Sequence, residues 1–169
     1  MGATTTAAEL GRAFPDVPVV DSSGAHVRDS VDSDPRLVVA TPGAEPAPES
    51  GYACAVILDA VSSLSRPGLA AVEQTVDRWM AILALVRSVR DGGRAVVVGP
   101  SEDAALQAMV RNDPAGWAAR ELTDRREARF PPAVPCGIVD GDPKAVASAA
   151  QRLGEWFGTD LEVLGPAPQ

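Results

Sequence analysis

Apolar residues in this chain gather either into short unbroken runs or into longer stretches where they recur every three or four positions. An unbroken run marks a strand buried on both faces, whereas the three-to-four spacing marks one side of a helix. Thr6-Ala7-Ala8-Glu9 reads as a capping box and predicts a first helix to about Ala13, ended by Pro15. Val17-Pro18-Val19-Val20 follows as a short strand. Residues 21–36 are polar and predict a turn, a short helix around residues 26–31 and a loop. Leu37-Val38-Val39-Ala40 predicts a buried strand. Residues 42–51 hold three prolines and two glycines, which predicts a loop. A second buried strand is expected from Ala53 to Leu58, ending in Asp59.

The longest helical pattern comes next. Leu69, Val72, Val76, Trp79, Met80, Leu83 and Val86 form one wide apolar stripe, and Gly92-Gly93 supplies the stop. A third buried strand is expected from Ala95 to Val98, with Ser101 capping the helix after it. Asp113-Pro114 and Asp142-Pro143 each place an N-cap before a proline at the first helical position. They predict helices over about 115–128 and from 143 to about 153. Strands around residues 136–139 and 161–164 would flank the second of these. Buried strands alternating with helices imply a parallel α/β sheet over residues 1–112. A small α+β piece follows over 113–169.

Composition narrows the function classes. Of 169 residues, 46% are hydrophobic and 22% charged, which is the balance of a folded globular chain. The net charge of −8 argues against attraction of the whole surface to nucleic acid, so any such contact needs a local arginine patch. Cys54 and Cys136 are far apart and match no metal spacing, which predicts reduced thiols in a cytoplasmic protein. No apolar run is long enough to span a membrane, and the first residues do not read as a signal peptide.

Candidate chemistry is sparse. The single lysine, Lys144, has no glycine loop before it and no Ser/Thr after it, so a phosphate-binding loop is not expected and a solvated helix residue is. No Gly-x-Gly-x-x-Gly is present. Val56-Ile57-Leu58-Asp59 resembles a strand ending in a metal-directing Asp, but without a phosphate loop a structural role is expected. Asp29, Asp32 and Asp34 lack the tight turn and further oxygens of a hard-cation site, and Arg28 and Arg36 lie beside them. His26 is the only histidine, and the serines lack a nucleophile elbow. No catalytic residue and no metal ligand is therefore assigned. Two arginine groups remain as candidates for phosphate contact: Arg87, Arg90 and Arg94, then Arg125, Arg126 and Arg129. Acidic neighbours Asp91, Asp124 and Glu127 blunt both, and arginines closing a helix also favour its dipole.

The order of segments carries more than any of them alone. Ala7-Ala8-Glu9-Leu10, Leu37-Val38-Val39-Ala40-Thr41, Val56-Ile57-Leu58-Asp59-Ala60, Ala71 to Trp79, Gly93 to Val98, Arg125 to Pro132 and Val163-Leu164-Gly165-Pro166 run collinear with one family. The chain resembles the C-terminal half of the primosomal protein N′ family, the replication restart proteins (PriA). It is most similar to the actinobacterial branch, as in His26-Val27-Arg28-Asp29-Ser30-Val31 and Ala40-Thr41-Pro42-Gly43-Ala44-Glu45-Pro46. The resemblance implies a RecA-like second helicase lobe over 1–112 and a partial C-terminal domain over 113–169 that continues past Gln169. It places the family's ATP site and zinc site in parts absent here, so no cofactor is expected in this chain.

The departures from the family pattern are as informative. Its second lobe carries Gln-x-x-Gly-Arg-x-Gly-Arg at the end of the long helix, and such arginines contribute on the order of 10³ or more in rate. Here Leu85 and Ser88 stand where the arginines would be, and Arg87 is one residue out of register, about 100° around a helix. The glycine- and lysine-containing loop has become Pro42-Gly43-Ala44-Glu45-Pro46. The resemblance therefore implies a lobe without ATPase or helicase activity, acting in fork recognition and in docking primosome components. The implied partners are DNA forks or single-stranded DNA and primosome or single-strand-binding proteins, with no membrane. The alternative is a non-enzymatic protein-interaction module, or a non-functional fragment, with no role at DNA.

Overall fold

The N-terminal half is built from strands that pair across helical or looped crossovers, always in parallel. The computed structural model describes residues 2–58 and 60–165. Asp59, expected to end a strand, and Pro166, in the closing Gly-Pro, lie outside the described residues. Two compact units emerge, Met1–Glu121 and Leu122–Gln169.

In the first unit, α1 (Ala3–Ala13) is followed by β1 (Val19–Ser22), a 3-10 turn (Gly24–His26), β2 (Ser30–Val31), β3 (Leu37–Ala40) and β4 (Ala47–Pro48). β1 pairs with β3, with Val19 opposite Leu37 and Ser22 opposite Ala40, and α1 lies against both. β2 pairs with β4. The buried Ser22 ties this region together: its hydroxyl donates to the Ala44 carbonyl at 2.7 Å and accepts the Arg28 N–H at 3.0 Å.

The remainder of the unit holds β5 (Cys54–Ile57), α2 (Ala60–Leu64), α3 (Ala71–Ala84), a 3-10 turn (Val89–Asp91), β6 (Arg94–Val97) and α4 (Ala104–Arg111), leading into α5 (Pro114–Glu127). β5 and β6 pair from Cys54–Arg94 to Ile57–Val97. The core lies on one side of this pair. Ala60, Val76, Trp79, Leu106, Met109 and Trp117 are buried together, and Ile57 and Val97 pack against them. Gly99 lets the chain leave β6 close to the helices, since a Cβ there would stand 2.9 Å from the Ala60 Cβ.

Several expectations are overturned. The single parallel sheet resolves into three two-stranded sheets among the described residues. The strands are not buried on both faces: Val56 and Val96, directly opposite each other, are 54% and 49% exposed, and Leu58 and Val98 continue the same bare face. Their continuous apolar runs follow from one face in the core and apolar residues left on the other. Thr6 is not an N-cap. α1 starts at Ala3, so Thr6 lies within it, and its hydroxyl donates back to the Gly2 carbonyl at 3.3 Å. The helix expected around 26–31 is a single 3-10 turn and then strand, because Gly24 at φ 55° turns the chain and Val31 is buried in the β2–β4 pair. The proline-rich loop contributes β4 to that pair. The helix after β6 is capped by Asp103, whose Oδ1 accepts from Ala105 and Leu106, rather than by Ser101. Gly92-Gly93 does not end α3. That helix closes at Leu85, and Gly92 at φ 81° caps the later 3-10 turn.

The Asp-Pro starts match the structure. Asp113 Oδ1 accepts from the Gly116 N–H at 2.8 Å, and Asp142 Oδ1 accepts from Lys144 and Ala145 at the start of α6 (Pro143–Phe157). In the second unit the strands expected around 136–139 and 161–164 are absent: both segments lie outside any helix and pair in no ladder among the described residues. Ile138 is 92% and Leu164 80% exposed, and α6 buries no residue fully. A strand holds only when a neighbour takes its backbone bonds, and neither segment has one here.

Candidate nucleic-acid interface

The two segments that depart from the helicase pattern meet around one open concavity of about 500 Å³. Gly43 and Glu45 come from the loop before β4, and Gln74, Asp77, Arg78, Ala81, Ile82 and Leu85 from α3 and its end. Glu45 is held in place by accepting the Gly43 N–H at 2.8 Å. Two carboxylates against one guanidinium give the lining a net negative charge, which repels phosphate. No lysine, histidine or cysteine lines it.

Tyr52 closes the far side of this loop, donating its hydroxyl to the Pro46 carbonyl at 2.8 Å. Burial pushes its phenol above the ordinary value of 10, and the charge of Glu45 adds to the shift. A raised folded pKa means stability is fully present below about pH 10 and is lost as pH rises through the folded value. Tyr52 is the only tyrosine in the chain, so phenolate absorbance reports it alone. Titration of the folded chain is expected to show a midpoint above that of the urea-unfolded chain; a midpoint at or below it would contradict the buried Pro46 contact.

Arg87, Arg90 and Arg94 do not sit on the end of the long helix. α3 is over by Ala84, Val86 bridges to Tyr52 as a strand would, and the Arg87 N–H donates to the Tyr52 carbonyl at 2.9 Å. The helical register argument for Arg87 therefore does not apply. Its Nε instead donates to the carbonyls of Ser50 and Gly51 at 3.1 and 3.0 Å. Arg90 is exposed in the 3-10 turn, and Arg94 is exposed as the first residue of β6. Arg87 and Arg94 line one groove, and Arg90 is not part of its wall.

In the second unit, Arg125 Nη1 donates to the Pro131 carbonyl at 2.6 Å, bracing the turn where α5 ends and Arg129 takes a left-handed φ of 56°. Arg129 stands 4.0 Å from Glu162. Arg126 is exposed. These side chains fix the helix end as much as they face outward, which composition alone did not reveal.

The other candidates are accounted for by local structure. Asp32 accepts from the Asp34 N–H and from Arg36, and the Asp34 amide, aided by Arg36, holds its carboxyl below the usual range. His26 and Lys144 are exposed. Cys54 and Cys136 are exposed free thiols. Among the described residues no group of three or more His, Cys, Asp or Glu is placed to hold a metal, and no helix is long and apolar enough to cross a membrane.

No family model matches the chain, and no solved structure matches it. Known proteins do. The chain is 43% identical over 166 residues to the probable replication restart protein PriA of Mycobacterium leprae (strain TN), which covers 98% of this chain and 25% of that protein. It is 42% identical over 168 residues to the proteins of the same description from Mycobacterium tuberculosis (strain CDC 1551 / Oshkosh) and Mycobacterium bovis, over 98% of this chain and 26% of theirs. The chain thus spans about a quarter of the length of the curated relatives it matches. Along nearly its whole length, this chain matches a part of the replication restart protein PriA.

Proposed function

We propose that the chain is part of a replication restart protein, helicase-like in descent but without ATPase or helicase activity, and that it contributes to fork recognition and to docking primosome partners. The observation that carries the inactive-lobe reading is the concavity between the Gly43–Glu45 loop and α3, where Glu45 and Asp77 outnumber Arg78. A triphosphate brought there would meet net negative charge with no lysine or glycine cradle. Parallel pairing of β5 and β6 across the crossover α2–α3 supports a RecA-like lobe for residues 1–112, with 113–169 as part of a C-terminal domain. The ATP and zinc sites belong, in this reading, to the part of the relatives that this chain does not match. The cellular setting is cytoplasmic, among DNA forks, single-stranded DNA and single-strand-binding or primosome proteins.

The reading is tested with purified chain. No single-strand-stimulated ATP hydrolysis is expected; turnover that disappears on Arg87→Ala would overturn the inactive lobe. Anisotropy with a labelled fork is expected to show weak binding that salt reduces. Replacing the exposed Arg90, Arg94 and Arg126 by alanine is expected to flatten the salt slope by about one per lost phosphate contact. Fork binding indifferent to both salt and these changes would remove DNA contact from the proposal.

A further inference from the structure

We propose that the Arg152–Trp156 pair near the end of α6 stacks one unpaired base of single-stranded DNA, with Arg152 and Lys144 meeting the adjoining phosphates. The inference rests on the replication-restart reading for the class of ligand. It adds a site in the second unit that neither arginine group contains.

Trp156 is the unusual residue of this unit. Of the three tryptophans in the chain, Trp79 and Trp117 lie 2% and 6% exposed in the core of the first unit, whereas Trp156 is 67% exposed. An indole stabilises a fold by leaving water, and this one has largely not left it. Its surface is open to an outside partner.

The helix period sets what stands beside it. Lys144, Ser148, Arg152 and Trp156 recur every fourth residue, so they form one ridge along α6, and all four are exposed. The Arg152 guanidinium carbon lies 5.1 Å from the centre of the Trp156 ring, within cation–π range. With the cation on one face, the rest of the exposed indole is left for a second planar group.

The nearby carboxylates are turned elsewhere or already engaged. Glu155 is about 100° around the helix from Trp156 and accepts from Gln151 Nε2 at 2.9 Å, along a neighbouring ridge. Glu162 stands 4.0 Å from Arg129. Arg152 forms no ion pair among the described residues, so its charge is available to a phosphate.

A ring beside a guanidinium on a helix ridge offers a stacking face rather than a groove, which suits a base better than a peptide. Every base has a π-face, so such a site is tolerant of sequence. A base inside a duplex is already stacked on both sides, so the site selects unpaired strand over duplex.

The test uses the full chain with fluorescein-labelled oligothymidylate and an abasic strand of the same length. Saturable binding of oligothymidylate is expected, and Trp156→Ala, checked for an unchanged circular dichroism spectrum, is expected to weaken it about tenfold or more. Trp156→Phe keeps an aromatic face and is expected to retain most of the affinity. The abasic strand keeps the phosphates and loses the bases. It is expected to bind about tenfold more weakly and to be indifferent to Trp156→Ala. Unlabelled oligothymidylate is expected to quench tryptophan emission in the unaltered chain and not in Trp156→Ala, because Trp79 and Trp117 are buried. Equal binding of the abasic strand would overturn stacking. Oligothymidylate binding indifferent to Trp156→Ala would leave the indole to a protein partner and end this proposal, while DNA contact through the arginine groups would stand. Binding of neither the oligonucleotide nor the labelled fork would remove both.

Discussion

Trp79→Ala is expected to destabilise the first unit by about 3–5 kcal/mol, the range for removing a large aromatic from a closed core. Trp79 is 2% exposed and sits in the same cluster as Val76, Leu106, Met109 and Trp117. Aromatics are only 4% of the chain, so most other core positions are Ala, Val or Leu, which have little reach to refill the space. Against a typical total of about 5–15 kcal/mol, such a loss leaves a large unfolded fraction. Urea unfolding read by far-ultraviolet circular dichroism is the check: the midpoint should fall steeply with an unchanged slope. A shift below about 1 kcal/mol would mean that this cluster is not what holds the helices on β5 and β6. Trp156, 67% exposed on α6 beneath Arg152, is the control, and its replacement by alanine is expected to change stability little.

Gly93→Ala is the second large effect, of roughly 2–4 kcal/mol. A Cβ at Gly93 would stand 1.8 Å from the Arg87 carbonyl oxygen and 2.5 Å from its carbon. Those atoms cannot give way cheaply. Arg87 is fixed by its N–H to Tyr52 and its Nε to Ser50 and Gly51, while the Gly93 N–H donates to the Ser88 carbonyl at 2.9 Å. The neighbouring Gly92→Ala has open space around the new methyl and meets only the strain of φ 81°, about 1 kcal/mol. Parallel urea titrations should therefore order the variants with Gly93→Ala clearly below Gly92→Ala. The reverse order would show that backbone conformation, not the approach of Arg87, governs this turn. Because the turn leads directly into Arg94, Gly93→Ala is also expected to disturb the groove beside β6.

Some features were legible from single residues. Asp113-Pro114 and Asp142-Pro143 opened helices as expected, because an N-cap and a fixed proline φ act within one turn of chain. The stripe from Leu69 to Val86 marked α3 with its ends two residues too long, and the runs at 37–40, 53–58 and 95–98 marked β3, β5 and β6 to within a residue. The collinear segments also led to the same proteins that the mycobacterial relatives name. Capping by Asp103 instead of Ser101 was a near miss, since both side chains accept hydrogen bonds and only the local backbone chooses between them. Arg87 was harder. Its environment is made by Ser50, Gly51 and Tyr52, more than thirty positions away, and no spacing within α3 encodes that.

By itself the sequence determined where the two Asp-Pro helices begin, which apolar runs of the first unit become strands, and the match to a part of PriA. Each of these is stored in residues close together or in their order. The tertiary structure decided the rest. It drew β2 and β4 together from segments that read as helix and loop, left one face of β5–β6 bare, and left 136–139 and 161–164 without a ladder. It also gathered Glu45 and Asp77 around one concavity and placed Arg94 at an open strand edge. The physical reason is that capping and periodicity are local, whereas pairing, burial and the company a charge keeps depend on which distant segments meet.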